Sequence, residues 1–448
     1  MTELTLNEIL QATGGRATAA LGDSPVTQIT LDSRTVTPGS VFVALKGERV
    51  DGHDFVASLA GKATCAVVER EIEADIPQIV VDSTYRAVGR IGAFIREKSG
   101  VIVVGVTGSV GKTSVKELTA SVISQRFSVL KTEKNHNNEL GLPMTLFRLE
   151  PENEVAVLEM GISYFGEMDR ISRIARPDIA VYTNIENVHT ENLIDRDGVL
   201  RAKTELVANM RGNTLILNAE DDKLSSYKLP NGKKAVYYGI EGGAFVTSRD
   251  IEYHGAESAD FTLVIGADSI RVSLPAAGRH MVLDSLAAAA AGHELGLTMQ
   301  EIKQGIEAYR TVSGRMEKRE YKGAVIINDC YNASPASMAA SLKVLAQADG
   351  RRLALLGDML ELGEKTAELH EGVGRLAAEL KLDLIVAVGE LGAHIAEAAK
   401  SAGLERAYCM SREEAAGFIK SELRAGDALL VKASRGMKLE ELIARITE

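Results

Sequence analysis

The stretch VIVVGVTGSVGKTSVKE, from Val101 to Glu117, decides the fold of this chain. Its first six residues are a continuous apolar run, which predicts a buried strand, and the residues from Lys112 onward predict a helix. Between them lies a glycine-rich turn. A phosphate-binding loop reads G-x-x-x-x-G-K-[ST] and needs a glycine at position 106, where this chain has Val106. Glycines stand instead at 105, 108 and 111, so the loop alone leaves the class of nucleotide-binding protein open.

The turn nevertheless has the chemistry of an anion site. A helix N-terminus presents backbone N–H groups and the positive end of the helix dipole, and glycines let the backbone approach phosphate oxygens. Lys112 would reach the terminal phosphates, and the Thr113 hydroxyl would ligate Mg²⁺. A glycine-rich turn without a ligand is the alternative. We expect the nucleotide to contact the loop residues Thr107, Gly108, Ser109, Val110, Gly111, Lys112, Thr113 and Ser114.

Length and charge limit the possible partners. The chain has 448 residues, enough for about three domains at roughly 150 residues each. Lysine and arginine number 51 against 62 acidic residues, a net charge of -11. That balance argues against a nucleic-acid partner or an anionic membrane surface. It does not argue against a phosphate-bearing ligand, because a helix terminus and a few lysines can bind one in an acidic protein.

Cysteine spacing and hydropathy predict the compartment. Cys65, Cys330 and Cys409 lie far apart in sequence, so neither a zinc site nor a disulfide framework is indicated. The N-terminus has no signal-peptide core, and no apolar run approaches the ~20 residues of a membrane span. We therefore expect a soluble cytoplasmic protein without membrane insertion.

The pattern along the chain predicts an α/β protein of three domains. Residues 1–98 mix short strands and turns, whereas residues 99–312 contain the buried runs VIVVGV, VAVLEMG, DIAVYTNI and TLILNAE separated by helical stretches. Such runs are typical of mostly parallel strands buried on both faces. FTLVIGADSIRVSL alternates instead, with a predicted turn near Gly266. Residues 313–448 alternate strand and helix, which predicts a Rossmann-like, doubly wound sheet.

Two polar residues follow strands near the phosphate loop. Glu159 closes VAVLEMG, and His189 follows DIAVYTNIENVH. Each, taken alone, could be an ordinary strand-end charge or a polar loop residue. Together they favour Mg²⁺ ligation, since magnesium prefers one or two carboxylates plus phosphate oxygens. Histidine is a less usual magnesium ligand.

Eight motifs occur in the order found in the Mur ligases. They are TGSVGKTSVKE, KNHNNELGLPMTL, LEMG, TNIENVH, RAKTE, GRHMVLDSLAAAA, SGRME and NDCYNASPASM. The form T-G-x-x-G-K-[ST] is the loop that this family uses. The resemblance runs from about residue 28 to 438 and so covers almost the whole chain. It implies a small UDP-binding α/β domain at residues 1–98, a P-loop domain at 99–312 and the Rossmann-like domain at 313–448.

The resemblance also implies an activity. Mur ligases use ATP to join a carboxylate to an amine through an acyl phosphate and a tetrahedral intermediate. LGDMLELGE and NASPASM are similar to the members that add D-alanyl-D-alanine to UDP-N-acetylmuramoyl-tripeptide in peptidoglycan synthesis. We expect a monomer. The alternatives are the preceding ligase of the series, which adds a diamino acid and whose D-N-P-[RK] signature is absent here, and a P-loop regulatory NTPase.

Residue roles at the reaction centre follow from the family motifs. Lys112 matches the lysine at the β- and γ-phosphates, and Thr113 with Glu159 matches the ligands of a first Mg²⁺. His189 matches the histidine at a second Mg²⁺. Lys203, in RAKTE, matches a lysine carried as a carbamate, which turns a cation into an anionic oxygen ligand. A solvated lysine on a helix is the alternative for Lys203.

Further matches concern the substrates. In the nucleotide site Arg315 matches an arginine that reaches ATP, and Asp329 matches the acid at the ribose. For Asn137 and Asn138 the alternative is turn formation. For Tyr331 and Asn332 it is the helix start at Ser334-Pro335, and for the first domain it is capping. The residues matched to the muramoyl and UDP sides are Ser33, Arg34, Asp51, His53, Asn137, Asn138, Tyr331 and Asn332.

One departure from the family concerns the base of the nucleotide. The family pattern G-x-H-N-x-x-N reads GRHMVLD here, so Met281 and Asp284 replace two asparagines. The second asparagine usually contacts adenine, and an ionised Asp284 would lose a donor while keeping an acceptor. We still expect ATP to be the nucleotide.

Overall fold

A computed structural model describes residues 3–448. They divide into two compact units. The first unit contains residues 3–107, 126–181 and 202–215, and the second contains 108–125, 182–201 and 216–448. Along residues 3–448, no helix combines the length and apolar character needed to cross a bilayer.

The N-terminal part of the first unit is a small α/β fold. Its five-stranded sheet has the order β2-β7-β6-β5-β4, parallel except for the β2–β7 pair. Phe42, Val56 and Val68 belong to its core, which explains the short apolar runs of the sequence. The elements are β1 (Leu4–Thr5), α1 (Leu6–Thr13), β2 (Arg16–Ala17), β3 (Pro25–Val26), β4 (Gln28–Thr30), β5 (Ser40–Val43), β6 (Cys65–Val68), β7 (Gln78–Val80), α2 (Thr84–Ser99) and the 3₁₀ helices Ser33–Thr35 and Gly52–Leu59.

The rest of the first unit is built on parallel strands. The strands β8, β10 and β9 pair in parallel in that order, and β8 and β10 are buried almost throughout. The prediction of buried parallel strands from continuous apolar runs is confirmed here. The elements are β8 (Ile102–Thr107), β9 (Val129–Lys131), α4 (Gly141–Leu146), β10 (Val155–Glu159), α5 (Glu167–Ala175) and the 3₁₀ helix Glu205–Asn209. Three elements contain a unit boundary: β11 (Ile179–Tyr182), α7 (Arg196–Thr204) and β12 (Thr214–Asn218).

In the second unit, tightly packed helices position the phosphate loop. An added Cβ at Gly292 or Gly305 would lie within 2.7 Å of Val122, so helices α9 and α10 approach α3 closely. The predicted turn at Gly266 is confirmed, since β15 and β16 form an antiparallel hairpin around it. The elements are α3 (Lys112–Ile123), α6 (Thr190–Leu193), α8 (Asp222–Ser225), β13 (Lys234–Tyr238), β14 (Val246–His254), β15 (Ser258–Ile265), β16 (Asp268–Leu274), α9 (Arg279–Glu294) and α10 (Met299–Glu307).

The remainder of the second unit is the predicted doubly wound fold. Its sheet has the order β17-β18-β22-β19-β20-β21, with apolar cores on both faces. Only the edge strand β17 is antiparallel, and its charged sequence EKREY did not predict it. The elements are β17 (Glu317–Tyr321), β18 (Ala324–Asn328), α11 (Pro335–Leu345), β19 (Arg352–Gly357), α12 (Thr366–Glu379), β20 (Leu384–Val388), α13 (Gly392–Ser401), β21 (Ala407–Cys409), α14 (Arg412–Glu422), β22 (Ala428–Lys432), α15 (Glu440–Thr447) and the 3₁₀ helices Gly363–Lys365 and Arg435–Met437.

Candidate active site

The glycine-rich loop is built for close backbone approach. Gly108 has φ +143°, and an added Cβ there would lie 1.9 Å from the Thr183 hydroxyl. Gly111, at φ +84°, precedes α3, and no described side chain caps that helix. The loop is also anchored from outside, because the Val110 N–H donates to Asn184 Oδ1 at 2.9 Å. The geometry is that of an anion-binding helix N-terminus.

The two motif residues after Gly111 point back to the loop. Lys112 Nζ donates to the carbonyl oxygens of Gly108 and Ser109, at 2.9 Å each. The Thr113 hydroxyl accepts a 3.1 Å hydrogen bond from Arg315 Nη2. The guanidinium of Arg315 also lies 4.3 Å from the centre of the Tyr331 ring. The second unit thus brings Lys112, Thr113 and Arg315 together, although 202 residues separate Arg315 from Thr113.

A cavity of about 550 Å³ opens beside this loop. Gly111 and Ser114 line it from the loop side, Asp284 from α9, and Arg315 and Asp329 from the last part of the chain. All of these residues belong to the second unit. The volume is within the range of small-molecule sites, about 300–1,000 Å³.

Asp329 stands at the end of β18 in a buried network. Its Oδ2 accepts hydrogen bonds from Lys432 Nζ at 2.5 Å and from the Ser341 hydroxyl at 2.6 Å. Its Oδ1 accepts one from the Met316 N–H at 3.2 Å. Lys432 is itself buried and lines the cavity. The network fixes the orientation of the Asp329 carboxylate at the carboxyl edge of the sheet, where open α/β sheets bind ligands.

Two titratable residues of α9 face the cavity. Burial raises the pKa of Asp284 well above its ordinary value, against the opposing charge of Arg315. Burial lowers the pKa of His280 to about 4, so its imidazole is neutral at physiological pH. Met281 is buried in the cavity wall.

His189 lies elsewhere in the second unit, before α6. Its Nδ1 is 2.8 Å from Glu361 Oε2, in the loop that follows β19. His189 and Glu361 both have positive φ, +53° and +63°. Left-handed backbone is uncommon outside glycine and is often found at functional sites. The structure therefore joins the motif TNIENVH to the motif GDMLELGE.

In the first unit, Glu159 ends β10 in a buried position. Its Oε1 accepts a 2.8 Å hydrogen bond from Asn137 Nδ2. The Asn138 side chain instead accepts from the backbone N–H groups of Leu140 and Gly141, which is the turn-forming alternative. Thr107 closes β8 and donates its hydroxyl to the Met160 carbonyl at 2.9 Å.

Lys203 is the least exposed of the predicted site residues in the first unit, at 1%. A solvated lysine on a helix surface is therefore wrong as an interpretation of this residue. Lysine is almost never fully buried without a compensating partner. Burial of this kind fits a functional lysine.

The predicted UDP-side residues form caps. Asp51 caps the 3₁₀ helix Gly52–Leu59, and its Oδ1 lies 2.6 Å from His53 Nδ1. His53 Nε2 accepts the Glu69 N–H at 2.8 Å, so both ring nitrogens are used within the protein. Arg34, beside Ser33, is exposed and forms a bidentate pair with Asp32, whose pKa it lowers to about 2. The geometry favours the capping interpretation for Asp51 and His53 and leaves Ser33 and Arg34 at the surface or near it.

Tyr331 and Asn332 follow β18 directly. Tyr331 stacks on Arg315, and the Asn332 carbonyl accepts a 3.1 Å hydrogen bond from Lys432 Nζ. Ser334 caps α11 with Pro335 in its first turn, so the predicted helix start is also present.

Comparison with known proteins identifies the family. Three family models match: the catalytic domain of the Mur ligase family at residues 25–94, the Mur ligase middle domain at 106–292 and the Mur ligase glutamate ligase domain at 314–435. Together they cover far more than half of the chain. The chain belongs to the Mur ligase family.

Full-length relatives of this Mur ligase share one name. UDP-N-acetylmuramoyl-tripeptide–D-alanyl-D-alanine ligase of Escherichia coli (strain K12) is 34% identical, covering 100% of this chain and 99% of its own. The Bacillus subtilis (strain 168) ligase of the same name is also 34% identical, covering 94% and 93%.

Solved structures are similar in the same way. MurF from Acinetobacter baumannii has a TM-score of 0.92 at 35% identity, covering 100% of this Mur ligase and 99% of its own chain. MurF ligase from Thermotoga maritima, solved in complex with ADP, has a TM-score of 0.83 at 29% identity, covering 94% and 97%.

Sequence reasoning did not find three polar groups of this Mur ligase site. Lys432 was predicted only as part of the strand DALLVKAS, although a lysine at the end of an apolar strand is itself a signal. Glu361 was noted only as a letter of GDMLELGE, and Tyr309 lines the cavity from beyond α10. Their neighbours are 100 or more residues away in sequence for Lys432 and Glu361, so no local pattern connects them.

Proposed function

We propose that this Mur ligase joins D-alanyl-D-alanine to UDP-N-acetylmuramoyl-tripeptide, with ATP converted to ADP and phosphate. The product would be UDP-N-acetylmuramoyl-pentapeptide, a cytoplasmic precursor of peptidoglycan needed for cell-wall growth, cell shape and division. The observation that carries the proposal is the full-length likeness, at 34% identity, to ligases of that name.

The phosphate loop supports ATP as the phosphoryl donor. A carboxylate is a poor electrophile, and transfer of the γ-phosphate to it gives an acyl phosphate that an amine can attack. Two anions must meet for that transfer, so positive charge is needed at the loop. Lys112 and Arg315 supply it, and the α3 N-terminus adds its dipole.

Two magnesium ions fit the donor set that we propose. Thr113 and Glu159 would hold the first ion, and His189 with the carbamate of Lys203 would hold the second. A hydroxyl, a carboxylate and a carbamate are the oxygen ligands that Mg²⁺ prefers. When bound, the ions would neutralise phosphate charge. The 1% exposure of Lys203 fits a modified side chain shielded from water.

The remaining assignments concern the substrates. We place the ribose at Asp329 and the UDP moiety on the domain of residues 1–98, near Ser33, Arg34, Asp51 and His53. Domains at 99–312 and 313–448 would bind ATP, and Asn137, Asn138, Tyr331 and Asn332 would lie near the muramoyl peptide. The chain would act as a monomer.

The preceding ligase of the series is the second candidate. A UDP-N-acetylmuramoyl-L-alanyl-D-glutamate–2,6-diaminopimelate ligase has only 18% identity and a TM-score of 0.57 to this chain, a likeness of fold alone. A P-loop regulatory NTPase would have no need of the front domain or of full-length likeness to ligases.

Product analysis tests the proposal. The full chain is incubated with ATP, Mg²⁺, UDP-N-acetylmuramoyl-tripeptide and D-alanyl-D-alanine, and the nucleotide-linked products are weighed by mass spectrometry. We expect the tripeptide to gain one dipeptide minus water. A product in which UDP-N-acetylmuramoyl-dipeptide gains one diamino acid instead would overturn the proposal, and so would turnover that is faster with GTP than with ATP.

A further inference from the structure

We propose that Asp284 binds the adenine base as a neutral carboxylic acid, which donates one hydrogen bond and accepts another as an amide would. This inference rests on the proposed function, because it assigns the base-binding part of the proposed ATP site. It differs from the expectation that an aspartate at this position loses the donor of an asparagine.

The position of Asp284 is unusual for a carboxyl group. It lies on α9 with 8% of its surface exposed and lines the 550 Å³ cavity. Its Oδ1 and Oδ2 lie 3.1 and 3.4 Å from where a Cβ on Gly111 would stand. Within residues 3–448 its carboxyl has no hydrogen-bond or ion-pair partner. Nothing in the described chain compensates a charge there, and a buried carboxylate without a partner is strongly disfavoured.

The other polar groups of the cavity are already committed. The phosphates belong at Lys112 and the α3 N-terminus, and Asp329 is held at the far side by Lys432 and Ser341. The base is the part of the nucleotide that remains. Asp284 is flanked by the apolar lining of Ala276, Ala277 and Met281, which suits a flat aromatic ring, and its carboxyl supplies the polar contact.

The chemistry of the base selects the protonation state. Adenine presents an acceptor at N7 beside a donor at its N6 amino group, whereas guanine presents acceptors at both N7 and O6. A neutral acid can donate its O–H to N7 and accept from N6, forming a bidentate pair. A carboxylate would accept from N6 but place an oxygen lone pair against N7. The neutral acid therefore discriminates for adenine as an asparagine does.

Groups around Asp284 do not obscure its titration. Facing it are Arg315, Tyr309 and Tyr238, and His280 lies one turn away on α9. Burial raises the pKa of both tyrosines, and His280, with a pKa of about 4, is already neutral. Burial likewise raises the pKa of Asp284, while the Arg315 charge opposes that rise. Adenine binding should therefore be present below the raised pKa and lost as the pH rises through it.

Binding of ADP to the full chain tests the inference without any amino-acid substrate. Calorimetric titrations run from about pH 6 to about pH 9, since buried carboxyls have pKa values as high as about 8–9. We expect the wild-type affinity for ADP to weaken about tenfold across this range, as for loss of one good hydrogen bond. Asp284→Asn should keep its affinity nearly constant, and the surface variant Asp268→Asn should follow the wild type.

A second nucleotide makes the test independent of any variant. 7-Deaza-ADP lacks the N7 acceptor, so the wild type should bind it about tenfold more weakly than ADP near pH 6, and the two affinities should converge at high pH. Parallel pH profiles for the wild type and Asp284→Asn would overturn the inference, as would equal binding of the two nucleotides near pH 6 or no binding of ADP. Ligation of D-alanyl-D-alanine is assayed separately, so failure of the proposed function is distinguished from failure of this inference.

Discussion

At the scale of single residues, Lys203 combines a cationic side chain with almost complete burial. If it carries a carbamate, removal of CO₂ from the buffer should lower ligase activity, and added bicarbonate should restore it. Lys203→Ala should lose activity by about a hundredfold or more, as for loss of a metal-site residue, and should not respond to bicarbonate. Product formation in degassed and bicarbonate-supplemented buffers measures both effects.

An exposed lysine provides the control for Lys203. Lys420 is exposed on α14, and Lys420→Ala should behave as the wild type in both buffers. Wild-type activity that is the same with and without CO₂ would contradict the carbamate.

Lys432 shows the cost of a buried charge. Its ammonium is 2.5 Å from the Asp329 carboxylate, and both groups are buried. Lys432→Met should lower the free energy of unfolding by about 3–5 kcal/mol, because it leaves a buried carboxylate uncompensated. The double variant Lys432→Met/Asp329→Asn should recover part of that loss. Denaturant unfolding measures both values.

The same pair should affect recognition of the ribose. In Lys432→Met we expect the KM for ATP to rise about tenfold with little change in kcat, as for one lost hydrogen bond to a charged group. With 2′,3′-dideoxy-ATP, which lacks the ribose hydroxyls, the variant and the wild type should have similar KM values. An equal rise for both nucleotides would show that Lys432 acts on the fold rather than through Asp329.

At the scale of elements, the phosphate loop depends on a conformation open only to glycine. Gly108 has φ +143° and leaves no space for a Cβ beside Thr183. Gly108→Ala should therefore weaken ADP binding by more than about tenfold, since the strain of such a backbone costs about 1–3 kcal/mol. Titration of ADP and thermal unfolding measure the two effects.

A second glycine serves as the matched control. Gly372 lies in α12 with no atom within 4 Å of an added Cβ. Gly372→Ala should leave ADP binding unchanged and stabilise the fold by about 0.4–1 kcal/mol. Gly108→Ala with the ADP affinity of Gly372→Ala would contradict this account of the loop.

The loop after β19 should act on His189. Glu361 accepts the imidazole at 2.8 Å and would fix the orientation of a metal-binding ring. Glu361→Ala should lower activity or the apparent Mg²⁺ affinity by about 10–100-fold, as is typical when the hydrogen-bond partner of a metal ligand is removed. Activity against Mg²⁺ concentration measures it, with the exposed neighbour Glu364→Ala as control. Identical Mg²⁺ profiles for the two variants would exclude this role.

Local patterns predicted the elements that depend on local physics. The apolar runs of β8 and β10, the glycines before α3 and the turn at Gly266 each have a signature within a few residues. The strand β17 was missed because an edge strand can be charged throughout. The pairs His189–Glu361 and Asp329–Lys432 were missed because they join residues 172 and 103 positions apart.

The sequence also underestimated what burial does to side chains. Lys203 read alone is a surface lysine, and Asp284 read alone is an acceptor without a donor. Only the three-dimensional surroundings show that the first is shielded from water and that the second is disfavoured as a carboxylate. The chemistry of both residues follows from their desolvation.

At the scale of the whole molecule, the account combines three parts of one chain in one reaction. The front domain would bind the UDP end of the muramoyl peptide, the middle domain the phosphates, and the last domain the ribose. Phosphate release should therefore require every substrate, whereas a regulatory NTPase would release phosphate from ATP without the peptides.

Coupled phosphate release with ATP and Mg²⁺ tests this claim most directly. Four reactions are compared: ATP alone, ATP with UDP-N-acetylmuramoyl-tripeptide, ATP with D-alanyl-D-alanine, and ATP with both. The account predicts sustained release only when both are present. Release at a similar rate from ATP alone would contradict it.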